Sequence, residues 1–245
     1  MQQQPDLAEQ FAAALDWWRE AGVDHDFRDE AEALLQEPKA AKAAAEKLQQ
    51  ARKVEEEKPA PPAIGGDRAN WPGSLEGFAS WWMTEPSLDG DAVRDRVAPR
   101  GVVEADLMVL VPMPEAQDSE KLLSGPQGTL VSNMLRAMGV AEERAYIASA
   151  LPRHMPLADW DGLGSAGLGE VLQHHIKLAA PKRLLVLGRD LMPVLGLEKR
   201  QAVAELSLGD SAIHLLASFG PENLLENARL RARLWHSWLD WTGNR

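Results

Sequence analysis

Apolar side chains recur along the chain with two different periods, and the change from one to the other divides it. Near the N-terminus Phe11, Ala14, Leu15 and Trp18 follow the i, i+3, i+4, i+7 spacing of one helical stripe, which Gly22 ends. Residues 26–36 have the length of a second short helix. Pro38–Lys58 predicts a third, rich in Ala, Glu, Lys and Gln, which lose little rotamer freedom in a helix, although its apolar face is thin. The stretch PAPPAIGGDRANWPGS, residues 59–74, then concentrates Pro and Gly as a linker does. Residues 1–58 are therefore expected to form a helical appendage, 59–74 a linker and 75–245 the main domain.

Beyond residue 74 short apolar runs alternate with helical stretches. Leu107–Val111, Ala145–Leu151, Arg183–Leu187 and Ala212–Leu216 predict strands. Helices are predicted at about 129–138, 168–179, 190–195 and 221–241, the last with Leu225, Ala228, Ala232, Trp235, Trp238 and Leu239 along one side. This alternation predicts an α/β fold, a three-layer α/β/α sandwich on a four-stranded, mostly parallel sheet. In such sheets ligands bind at the carboxyl ends of the strands. VPMPEAQDSE, residues 111–120, and LPRHMP, residues 151–156, fall at such ends.

Composition narrows the chemistry. Cysteine is absent, which excludes disulfides, thiolate nucleophiles, iron–sulfur clusters and Cys-ligated zinc. No run of 18 apolar residues and no basic, apolar leader is present, so a cytoplasmic protein without a membrane span is expected. The net charge of −11 argues against broad attraction to phosphate backbones. The local groups Lys182-Arg183 and Arg229-Arg231-Arg233 read as solvated helix faces. His154 and the pair His174-His175 lack partners at ligand spacing, so no metal is expected. The nine Trp, at helical spacings, read as core or interface residues rather than base-stacking platforms.

The order of segments LMVL, a Pro-containing loop, GPQGTLVSNMLRAMGV, AYIASALPRHMP, HHIKLAAPKRLLVLG and GPENLL resembles the uracil-DNA glycosylase superfamily, in particular its bacterial and archaeal iron–sulfur branch and relatives. The similarity spans about residues 75–241. Its most specific parts are scaffold: Gly125, Gly128, Gly139, Tyr146-Ile147 and Ala180-Pro181-Lys182. The resemblance implies a pocket into which a base is flipped, stacked on an aromatic ring, read by an amide and cleaved from its sugar.

Residue by residue, the positions that carry this chemistry have changed. The first loop, G-E-x-P-G in the family, is Val111, Pro112, Met113, Pro114 and Glu115 here, so a proline stands at the glutamate position. The base-stacking aromatic corresponds to Leu123 and the base-reading asparagine to Ser149, which makes one short hydrogen bond where an amide makes a pair. The histidine of the late motif is Gly220, followed by Pro221, Glu222 and Asn223, and two cluster ligands match Arg153 and Leu168. The expectation is a glycosylase-like protein that has lost uracil excision and serves as a binding or scaffold protein linked to DNA repair. No cofactor is expected; DNA, or a protein held through the N-terminal helices, is the candidate partner. The alternative is an active glycosylase for uracil or another damaged base that uses Asp118 or Glu115 for water and Ser149 for the base. A third reading is an unrelated hydrolase or small-molecule binder on a similar sheet.

Overall fold

The computed structural model describes residues 6–21, 63–89 and 93–243. The chain divides into two units, Met1–Pro59 and Ala60–Arg245. In the first, helix α1 (Leu7–Glu20) forms where the apolar spacing predicts it, with Phe11, Leu15 and Trp18 all exposed. Arg19 pairs with Asp16 across one turn at 2.8 Å. The second and third helices predicted for the appendage lie outside the described residues. No helix among the described residues is long and apolar enough to cross a membrane.

The second unit starts earlier than its composition suggests. Residues 63–74, read in the sequence as linker, pack on the domain: Ile64 is buried, its N–H bonds to the Ala166 carbonyl at 2.8 Å, and the Trp71 indole donates to the Gly65 carbonyl at 2.7 Å. Pro and Gly here supply turns in an anchored strap. Helix α2 (Leu75–Thr84) follows, capped by the Ser74 hydroxyl on the Gly77 N–H, and buries Phe78 and Trp82.

The sheet has six strands: β1 (Arg100–Gly101), β2 (Leu107–Val111), β3 (Ala145–Ser149), β4 (Leu184–Leu187), β5 (Val203–Ser207) and β6 (Ala212–Ser218), in the order β1-β3-β2-β4-β6-β5. The four runs that read as strands pair in parallel at its centre, in the order β3-β2-β4-β6. The sheet as a whole is mixed, because β1 and β5 add antiparallel edges. Strands β2, β3 and β4 are buried on both faces, hence their unbroken apolar runs. Edge strand β5 alternates exposed and buried residues and carries Glu205 outward, a charge that discourages further pairing.

Period-two alternation divides the core between the two faces. Met108, Leu110, Tyr146, Leu184 and Val186 meet Phe78 and Trp82 of α2 and Leu168, Val171, Leu172 and Ile176 of helix α5 (Leu168–Ala179). On the other face Leu107, Val109, Ile147, Leu185 and Leu187 meet Val131 and Leu135 of helix α3 (Pro126–Ala137). Two short helices, α4 (Trp160–Ser165) and α6 (Leu191–Val194), flank α5 in the chain. The last predicted helix is two, α7 (Pro221–Glu226) and α8 (Ala228–Thr242), with extended backbone at Asn227. That break turns α8 relative to the expected stripe. Leu234 and Trp238 are buried, while Leu225 and Trp235 stay exposed.

One buried polar pair sits inside this packing. His175 stacks on Phe78 at 4.0 Å between ring centres and shares a 2.8 Å hydrogen bond with the Tyr146 hydroxyl. Burial, with His174 alongside, lowers its pKa to about 3, and burial likewise pushes the Tyr146 phenol upward. His175 is therefore neutral in the fold, but takes a proton near pH 6.5 once unfolded, so the unfolded chain binds more protons below that value. Its contribution to stability is full above pH 6.5 and shrinks as the pH falls toward 3. Urea unfolding between pH 7 and 5 should show this loss, up to about 1 kcal/mol per pH unit. In His175→Phe the slope in this window should flatten; an unchanged slope would assign it to other groups.

Candidate functional site

Three parallel strands run out into loops at one end of the sheet. Strand β2 gives way to Pro112, Met113 and Pro114, β4 to Gly188, Arg189 and Asp190, and β6 to Phe219 and Gly220. Because the chain leaves β2 for β3 on one side and later returns to β4 on the other, β2 and β4 flank the point where the winding reverses, where open α/β sheets form ligand crevices. A cavity of about 580 Å³ lies there, walled by these loops, by Trp160 of α4, by Lys199 and Arg200, and by Gln127, Glu222 and Asn223. Gly188 permits the floor to close. A side chain there would press on the Pro112 ring at 2.7 Å, on a backbone with φ of +150°.

The loop after β2 is held from within. The Glu115 carboxylate is only 4% exposed and accepts the N–H groups of Gly125 at 2.9 Å, Gly128 at 3.0 Å and Gln127 at 3.0 Å, together with the Gln117 amide at 3.2 Å. It caps α3, whose own N-cap residue, Gly125, has no side chain to do so. Asp118, 8% exposed, accepts the N–H groups of Glu115 at 2.9 Å, Leu123 at 2.7 Å and Ser124 at 2.8 Å, and the Ser124 hydroxyl at 2.7 Å. Four bonds match the four lone-pair sites of a carboxylate. Neither acid, considered from sequence as a candidate for positioning water, lines the cavity; both spend their acceptor sites on the loop and the start of α3. Gly128 is required by the same fold-back, since a Cβ there would collide with the Leu123 carbonyl oxygen.

The remaining predicted positions separate into two groups. Pro112, Met113, Pro114, Gly220 and Asn223 line the cavity. Ser149 and Leu123 do not. The Ser149 hydroxyl is buried and donates to the Leu151 carbonyl at 2.7 Å, which consumes its one proton. Leu123 is buried in the core beneath α3 with a left-handed backbone, φ +57°. Arg153 and Leu168 carry no ligand chemistry: Leu168 fills the core, and Arg153 binds Asp89 at 2.9 Å. The Asp89 carboxylate, fully buried, also binds Arg96 at 2.6 Å, and Arg96 donates to the Trp82 carbonyl at 3.0 Å.

Each histidine singled out in the sequence has a structural partner. His154 bonds to the Pro114 carbonyl at 2.9 Å and His174 to that of Pro72 at 2.8 Å, in addition to the Tyr146–His175 pair. His154 thereby ties the loop after β3 to the loop after β2. Among the described residues no group of three or more His, Asp or Glu could hold a metal ion.

Sequence reasoning missed the charged wall of the cavity. Lys199 pairs with Asp190 at 2.5 Å, and Glu222 accepts from the Gln127 amide at 3.4 Å. Arg189 and Arg200 have no carboxylate partner among the described residues. The Arg189 guanidinium instead lies 4.3 Å from the centre of the Phe219 ring. Partial burial and the nearby Arg233 push its pKa down from the usual guanidinium value. The tripeptide Gly-Arg-Asp after β4 was the only available signal, and it reads as an ordinary turn. Comparison with family models and with curated proteins finds no match for this chain.

If Glu115 builds the loop, removing its carboxylate strands three backbone donors at the start of α3. Glu115→Ala should cost at least about 2 kcal/mol in urea unfolding. Asp118→Ala should cost a similar amount, and a loss below about 0.5 kcal/mol in both, the range of an ordinary surface change, would rule out this role.

Proposed function

We propose that the second unit is a uracil-DNA glycosylase-like domain that retains the fold without base excision and acts as a binding protein. The observation that carries this reading is the saturation of Glu115 and Asp118, the two buried acids of the loop that would position water, by N–H, amide and hydroxyl donors of that loop and of the start of α3. Hydrolysis of a glycosidic bond requires a group that orients water and another that stabilises the departing base. The positions that the resemblance gives to these tasks are Pro112 and Gly220. Both line the cavity, and neither carries a side chain that can donate or accept a proton. The four parallel central strands, with the crevice at their carboxyl ends, support the family reading at the level of architecture.

The test is an excision assay on uracil, hypoxanthine and xanthine in single- and double-stranded DNA, with protein equimolar to substrate, run beside a DNA-binding titration at stated salt. No base should be released. Release that Glu222→Gln or Asp190→Asn abolishes, both being cavity acids, would overturn the reading and identify an active glycosylase with relocated chemistry.

A further inference from the structure

The cavity keeps something that a relic pocket does not need. Two guanidiniums, Arg189 and Arg200, face it without a carboxylate. Elsewhere in the domain Arg68, Arg96, Arg100, Arg144, Arg153 and Lys182 are each bound to an acid, while others, such as Arg136 and Arg183, bind an amide or lie over a Trp ring. Arg189 is positioned by the Phe219 ring rather than by a counter-ion, so its orientation is set while its charge stays available. Trp160, in the same lining, packs on the core and gives the cavity an aromatic wall.

We infer that this cavity binds a nucleotide, the phosphate on Arg189 and Arg200 and the base against Trp160. The volume of about 580 Å³ falls within the roughly 300–1,000 Å³ of small-ligand sites. Guanidinium donors match the oxygens of a phosphate, and both arginines stand in the lining of this cavity. At a net charge of −11 the chain offers a local trap for one phosphate rather than a track for a long backbone. The inference rests on the binding reading above and specifies its ligand. Free mononucleotides and the phosphorylated end of a single strand share this chemistry.

The experiment is calorimetric titration of the full chain with AMP, UMP, adenosine, uridine, inorganic phosphate, and a single-stranded 12-mer with and without a 5′-phosphate. A nucleotide should bind at least about tenfold more tightly than its nucleoside, the effect of one charged hydrogen-bonded contact. Arg189→Gln and Arg200→Gln should each weaken it by about tenfold or more, with Arg189→Lys recovering part of the loss. Trp160→Leu should weaken nucleoside and nucleotide alike. Binding of the mononucleotide identifies a free-nucleotide site, and binding of only the 5′-phosphorylated 12-mer identifies a strand-end site; both support the inference. No binding of either at millimolar concentration, equal binding of the 12-mer with and without its phosphate, or full affinity in both glutamine variants that melt like the parent would overturn it. Base release in the excision assay would instead remove the binding reading and leave these affinities to be judged separately.

Discussion

The Glu115 carboxylate organises the functional end of the domain. A single buried acid collects the N–H groups of Gly125, Gln127 and Gly128, and so joins the end of β2 to the start of α3 across a loop that has no secondary structure of its own. Asp118 repeats the device one turn further on and holds Leu123 and Ser124. Unsatisfied backbone donors at a buried helix start are costly, so this part of the fold depends on both carboxylates being turned inward. The bonds that hold the loop together are the same ones that occupy the acceptor sites of its two buried carboxylates.

That constraint explains the division between scaffold and site. Gly125 and Gly128, whose N–H groups the Glu115 carboxylate holds, answer to backbone geometry, since a Cβ on either would strike a neighbouring atom. Apart from Gln127, whose N–H is held by Glu115, the cavity wall lies outside these bonds, and its residues include Pro112, Met113 and Gly220 beside the charged Arg189, Asp190, Lys199, Arg200 and Glu222. On the proposed function, selection on binding would act through Arg189, Arg200 and Trp160 while the loop beneath stayed fixed by hydrogen-bond geometry.

Much of the architecture was legible because the central strands are buried on both faces and therefore read as unbroken apolar runs, and because α5 matches its predicted span. The edges were not. Strand β1 has two residues, too few to show a period, and β5 carries only a short alternation. Asn227 interrupts a pattern that runs continuously through the sequence, so the predicted face of the last helix was rotated from the real one. Within the site, acids after a strand suggested chemistry, whereas what decides their role is a fold-back by residues up to 13 positions away, which local patterns do not encode. The unpaired state of Arg189 depends on neighbours from two other elements and is equally invisible in one dimension.

Asp89 with its two arginines has a consequence for which residues can change. Its buried carboxylate, bound to Arg96 and Arg153, ties the segment before β1 to the loop after β3. A buried ion stripped of its partner is costly, so a neutral residue at any one of these three positions is tolerated only when the others change with it.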